Sequence, residues 1–289
     1  MDEKAKRMCN YFKNEVPFLI GRNGSTELEV IAYALKNGDD CLFPEQLMKR
    51  LELYSGIFPA TQESVSLWLK EYKSALQSCD MIAEGWYEPL KHEEKYILDC
   101  IIPRPEKIML RNLEPYYVKP HLRWTAYLAN KNVAIINSFA QTCEEQTYLS
   151  KAIWPTDTES LIPSSTKWVP IKTYFPPNIA GSNKEASWKV NNWFTAVEQI
   201  VKEVEEEKYH IDVAIIGCGA LGMIIASKLK KKGIQCIVMG GAVQILFGII
   251  GKRWESHSVI SKFFNDAWVV PPDSSKPLAF KKIEGGCYW

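Results

Sequence analysis

Three short runs in the second half of the chain are apolar almost throughout: Asn132-Val-Ala-Ile-Ile-Asn137, Ile211-Asp-Val-Ala-Ile-Ile216 and Gly233-Ile-Gln-Cys-Ile-Val-Met239. Short segments apolar on both faces read as strands covered on both sides. Between them lie helical patterns at 138–146, 187–207 and 220–231, and Trp168-Val-Pro-Ile-Lys172 adds a further strand. Buried strands alternating with helices predict an α/β fold with a mostly parallel sheet flanked by helices.

The first half is predicted to be more helical. Helices are expected at 28–38, from Pro44 onward and at 61–78, the last with Thr61 as its N-cap. Cys79-Asp-Met-Ile-Ala83 reads as a short strand, Pro103, Pro105 and Pro115 break up 89–118, and a helix is expected at 121–129. The expected organisation is one domain over residues 1–289. A helical region, 28–118, is inserted between a first strand and an α/β core at 121–289.

Composition narrows the function classes. A net charge of +1 with no strongly basic stretch gives no footprint for nucleic acid. The longest apolar run, Gly240 to Gly251, is interrupted by glycine and too short to span a membrane, and the N-terminus is charged with no apolar stretch behind it. Cytoplasmic localisation is expected. The eight cysteines form no Cys-x-x-Cys pair and the four histidines lack metal-ligand spacing, so neither a disulfide framework nor a zinc site is expected.

Pro17-Phe-Leu-Ile-Gly-Arg-Asn-Gly-Ser-Thr-Glu27 is the densest concentration of site chemistry. It reads as a strand running through a tight turn into a helix. Such a turn aims free backbone N–H groups at one point, and Gly24, Ser25 and Thr26 add close approach and hydroxyl donors. Arg22 supplies a cationic fork for the same anion, and Glu27 an acid beside it.

A second turn, Gly217-Cys-Gly219-Ala-Leu-Gly222, has the outline of a dinucleotide fingerprint. That motif needs an acid after the next strand for the ribose, yet no Asp or Glu occurs between Asp212 and Glu255. Close helix–strand packing explains these glycines equally well. Gly240-Gly241, following the last strand, would let a ligand approach the backbone. Lys252-Arg253-Trp254, expected after an apolar helix, would add two cations and an aromatic face; this is preferred to basic residues merely completing that helix's dipole, because three such features would meet at the carboxyl edge of one sheet. Trp86, Trp188, Trp254 and Trp289 are candidate sugar platforms, since each adjoins glycine or polar residues.

With these residues in view, the chain resembles the GT-D-type glycosyltransferases, nucleotide-sugar-dependent enzymes whose loop reads Arg-x-Gly-Asp-Gly-Glu. Arg22-Asn-Gly24-Ser25-Thr26-Glu27 matches it at Arg, Gly and Glu. Asn137-Ser138-Phe139 through Gln146 resembles the family's strand-to-helix segment, and the Gly217–Gly222 turn occupies the corresponding place. The resemblance spans about 15–289, thinning between 40 and 115. It implies a Rossmann-like fold and transfer of a sugar from a UDP-sugar, UDP-xylose among the candidates, to a glycan hydroxyl, with inversion expected. Relatives of this kind occur in bacterial surface-polysaccharide loci and in large DNA viruses, chloroviruses included. The implied donor contacts are Arg22, Gly24, Ser25, Thr26, Ser138, Gly219, Gly240, Gly241, Lys252, Arg253 and Trp254.

An inverting transfer needs a carboxylate base, for which Glu27 and Asp80 are the candidates, with Glu29 and Glu84 behind them. Glu29 reads more simply as an exposed helix acid. The family's metal-holding Asp–x–Glu is here Ser25-x-Glu27. One carboxylate makes a weak Mg²⁺ or Mn²⁺ site unless the diphosphate completes it, so partial metal dependence is expected, with Glu27 the sole ligand. A dinucleotide-dependent oxidoreductase and a non-catalytic nucleotide-binding protein are the alternatives. A homo-oligomer is compatible with the sequence.

Overall fold

The computed structural model describes residues 2–289. Seven strands form one parallel sheet in the order β3-β2-β1-β7-β6-β4-β5. They are β1 (Leu19–Arg22), β2 (Met81–Ala83), β3 (Glu106–Ile108), β4 (Asn132–Asn137), β5 (Lys167–Lys172), β6 (Val213–Gly217) and β7 (Gln235–Val238). The α/β class is therefore as the apolar runs predicted.

Side chains of these strands alternate between two cores. Leu19, Ala134, Ile136, Ala214, Ile216, Cys236 and Val238 enter one core, while Ile20, Val133, Ile135, Val213, Ile215 and Ile237 enter the other. This period of two, apolar on both faces, is why the central runs show no polar alternation. One core is roofed by α2 (Ser25–Asn37), α3 (Glu45–Ser55), α4 (Gln62–Gln77), α5 (Glu88–Asp99) and the helices Trp193–Glu206 and Gly222–Lys231. The other lies under the helix Asp2–Lys13 and the segments around 113–128, 139–162 and 242–268.

Crossovers toward β3 therefore pass over one face and those toward β5 over the other, as crossovers of a single hand require. The chain leaves adjacent strands β4 and β6 in opposite directions, toward β5 and β7 respectively. Crevices open outside the carboxyl ends of such strand pairs, where ligands of open α/β sheets bind.

Several elements differ from expectation. Residues 28–118 contribute β2 and β3 to the same sheet, so they are not a purely helical insertion. β2 lies within the short strand expected at 79–83, whereas β3, three residues long, carries no periodic signal. The expected helix at 121–129 is a pair of 3₁₀ turns, Pro120–Leu122 and Trp124–Leu128. The apolar stretch after β7 is not one helix but a 3₁₀ turn, Gly240–Ala242, and a single helical turn, Val243–Leu246. Thr61 does cap α4, its side chain accepting from Ser64 N–H at 3.3 Å. Among the described residues no helix is long and apolar enough to cross a membrane.

Candidate active site at the carboxyl ends of the strands

A cavity of about 780 Å³ lies over the carboxyl ends of the strands and draws its walls from the loops that follow them. That volume suits a ligand of nucleotide-sugar size. Arg22 and Gly24–Glu27 after β1, Glu84–Trp86 after β2, Asn137–Phe139 after β4, Gly217–Gly219 after β6 and Gly240–Gly241 after β7 all reach it.

Arg22 is one of four cations lining the cavity, with Lys91, Arg111 and Arg253. Its guanidinium lies 4.5 Å from the centre of the Trp86 ring and makes no ion pair or hydrogen bond with any described residue. A Cβ added at Gly240, which sits at φ +61°, would come within 3.6 Å of Arg22 Nη1. Gly240 therefore serves both the left-handed turn and close access to the cation.

Beneath Arg22 the turn is tied down by a buried polar chain. Tyr72 Oη donates to Asn23 Oδ1 at 2.9 Å, and Asn23 Nδ2 donates to Glu94 Oε1 at 2.9 Å. Glu94 Oε2 accepts from Gly85 N–H at 3.0 Å. Glu94, at 1% exposure, so links the loop after β1 to the loop that carries Trp86. Burial raises its carboxyl, while Asn23 and the Gly85 N–H favour the charged form.

Glu27 is buried at the third position of α2, and its carboxylate turns back over the start of the helix. A Cβ on Gly24 would displace this carboxylate, which packs against the bare glycine backbone. Burial pushes its carboxyl up, opposed by its own backbone N–H, by Arg22 and by the Ser55 hydroxyl. The Ser25 and Thr26 hydroxyls line the cavity and have no partner among the described residues.

Asn137 closes the β4–β6 crevice. Its Nδ2 donates to the Gly217 carbonyl at 2.6 Å and its Oδ1 accepts from Phe139 N–H at 2.8 Å. The Gly217–Gly222 turn packs tightly: a Cβ on Gly219 would lie 2.6 Å from the Ser55 carbonyl oxygen, and one on Gly222 would lie 3.1 Å from Val238. Close packing accounts for both glycines. On the far wall, Arg253 pairs with Glu284 at 2.9 Å and lies 4.1 Å from the centre of the Tyr288 ring.

The structure brings together Arg22, Gly24, Ser25, Thr26, Glu27, Ser138, Gly219, Gly240, Gly241, Arg253 and Trp254, all lining the cavity. Lys252 is exposed and outside it. Asp80 is a correction. It precedes β2, at the opposite ends of the strands, where its Oδ2 accepts from Leu19 N–H and from Lys230 Nζ, each at 2.7 Å. A residue before a parallel strand cannot reach a cavity built on the loops after it. Glu29 pairs with Arg50 on the surface, and Trp188 is core, whereas Trp86 and Trp254 do line the cavity.

Sequence reasoning missed Glu114. It lines the cavity at 7% exposure, and its carboxylate accepts no hydrogen bond from a described residue. Burial raises its pKa to about 7 against the opposing fields of Arg22 and Arg111. Among the described residues no three His, Cys, Asp or Glu side chains group to hold a metal.

The sequence matches no family model and no curated protein. Two solved structures of the domain of unknown function 1792 resemble it, each at 12% identity. The selenomethionine form covers 83% of this chain and 78% of its own, at a TM-score of 0.46. The other, described as having a distinct glycosyltransferase fold, covers 83% of this chain and 82% of its own, at 0.38. At that level the likeness assigns no role to any residue, and it bears on neither the GT-D-type family nor a viral source.

Proposed function

We propose that this protein transfers a sugar from a nucleoside diphosphate sugar, a UDP-sugar first among them, to a hydroxyl of a glycan. The observation that carries this reading is Arg22. An unpaired guanidinium, seated on Trp86 inside a cavity of nucleotide-sugar size, is set up for a diphosphate. The first N–H groups of α2 and the Ser25 and Thr26 hydroxyls surround the same turn.

In such a transfer the bond from the anomeric carbon to the diphosphate breaks, and its electron pair leaves with the phosphate. Arg22 and the turn donors stabilise that growing charge from fixed positions. Trp86 and Trp254 offer aromatic faces for sugar or base. A hydride-transferring alternative lacks support, because no acid lies between the end of β7 and Glu255 to hold a ribose and the Gly217–Gly222 glycines are explained by packing.

Thermal unfolding with UDP, UDP-xylose, UDP-glucose, NADH and NADPH tests the reading. A ligand of the native state at a hundredfold its Kd adds about 2.7 kcal/mol of stability. UDP compounds are expected to raise the melting temperature and NAD(P)H to leave it unchanged. The reverse pattern would refute the proposal.

A further inference from the structure

The transfer needs a group to take the acceptor's proton, and four carboxylates and one histidine line the cavity: Glu27, Glu84, Glu114, Glu284 and His257. Glu284 is engaged with Arg253. His257 accepts backbone N–H bonds from Val259 and Ile260 at its Nδ1, both at 3.2 Å, which leaves the proton of the neutral ring on Nε2, a donor. Glu27 is folded onto its own helix start; burial raises its carboxyl, but its own backbone N–H and the Ser55 hydroxyl already donate to it, so its oxygens are committed. Glu84 is only half-buried, beside Lys91.

Glu114 alone is buried in the wall with its oxygens uncommitted. Its backbone is fixed by an internal brace. Arg123 Nε donates to the Pro115 and Val118 carbonyls at 3.0 and 2.8 Å, while its Nη1 pairs with Asp157 at 2.9 Å. A carboxylate held still, dry and without donors is built to accept a proton. We propose that Glu114 is the catalytic base that takes the proton from the acceptor hydroxyl.

This inference rests on the sugar-transfer reading. The acceptor oxygen forms its bond to the anomeric carbon as the carbon–phosphate-oxygen bond breaks. The hydroxyl proton moves to a Glu114 oxygen, the bonding pair departs with the nucleoside diphosphate, and the anomeric centre inverts. The charged or titratable groups facing Glu114 are Arg22 from β1, Arg111 from the preceding turn, and Tyr116 and Tyr117 from the following one. Together with burial they place its titration near neutrality, where a base at cellular pH is most effective.

The test measures hydrolysis of UDP-xylose, UDP-glucose and UDP-galactose, with water as acceptor, across about pH 5–9. Wild type, Glu114→Gln, Glu114→Asp and Glu27→Gln are compared, and UDP binding is titrated for each. Wild-type kcat is expected to fall about tenfold per pH unit on the acid side of neutrality. Glu114→Gln is expected to bind UDP within about twofold of wild type, to lose on the order of 10²–10⁴ in kcat and to lose the acid limb. Glu114→Asp should retain the limb at a lower rate, and Glu27→Gln should retain it too. Persistence of the limb in Glu114→Gln, or its loss in Glu27→Gln alone, would overturn the assignment while leaving sugar transfer intact. Failure of wild type to bind UDP or cleave any UDP-sugar would overturn both.

Discussion

The two ends of the strands carry similar residue types and treat them in opposite ways. At the amino ends, charge meets charge or a backbone donor. Asp80 takes Lys230 and Leu19 N–H, Asp212 takes Asn132 N–H at 2.8 Å, and Glu106 takes Lys4 and Arg7. At the carboxyl ends Arg22, Glu114 and the Ser25 and Thr26 hydroxyls face the cavity uncommitted. Polar groups that satisfy one another hold a fold together. Polar groups left unpaired around one cavity, half-buried like Arg22, Ser25 and Thr26 or buried like Glu114, are what a ligand site offers.

Breaking the buried network beneath the carboxyl-end loops should have the largest effect. Glu94→Ala removes the acceptor of both Asn23 Nδ2 and Gly85 N–H, leaving two buried donors unpaired. A loss of about 2–5 kcal/mol in urea-unfolding stability is expected. UDP affinity should fall with it, because Asn23 and Gly85 adjoin Arg22 and Trp86. A loss within about 0.5 kcal/mol would show that the network carries little of the turn.

Glu114 gives the next effect and fixes its sign with pH. Its carboxyl is raised from 4.5 to about 7 in the folded protein. Below the unfolded value both states are protonated and there is no penalty. As pH rises toward the folded value, the unfolded chain releases its proton first, so the native state is progressively disfavoured. The full penalty, at most about 3 kcal/mol, is present above neutrality. Glu114→Gln should therefore raise the melting temperature at about pH 8 and leave it nearly unchanged at about pH 4. An equal gain at both would mean that Glu114 titrates normally.

Asp80→Asn should cost about 1 kcal/mol of stability, the scale of a half-exposed charged hydrogen bond, with turnover unchanged. A loss of turnover at constant stability would return Asp80 to the site. The smallest effect is expected from Ser25→Asp, which sets a second carboxylate near Glu27. It should increase the stimulation by Mn²⁺ relative to excess EDTA a few-fold. Complete loss of wild-type activity in EDTA would show that metal dependence does not follow the carboxylate count at this turn.

The sequence made the site's core legible because turn chemistry is local. The Arg22–Glu27 turn needs only its own residues to make a strand end, a helix start and an anion donor set. The central strands were equally legible, since burial on both faces leaves an unbroken apolar run. Asp80 and Glu84 flank the same short strand and only its direction separates them: Asp80, before the strand, lies at the amino end, whereas Glu84, after it, reaches the cavity. Glu114 left no local signal. Leu113-Glu114-Pro115 reads as a surface turn, and its burial comes from the path of 110–128 across the sheet face and from Arg123, which braces the next turn from eight residues beyond Pro115. The 3₁₀ turns at 120–128 keep apolar spacing while Pro120 and tertiary packing set the backbone.

The central claim is that the uncommitted charge at the carboxyl ends is the ligand's seat. Calorimetric titration of UDP into wild type, Arg22→Ala and Asp80→Asn tests it most directly. Removing a charge-assisted partner of the diphosphate is worth about 1.5–3 kcal/mol, so Arg22→Ala should weaken binding by roughly ten- to a hundredfold. Asp80→Asn should bind as wild type does. Equal affinity in wild type and Arg22→Ala would contradict the account.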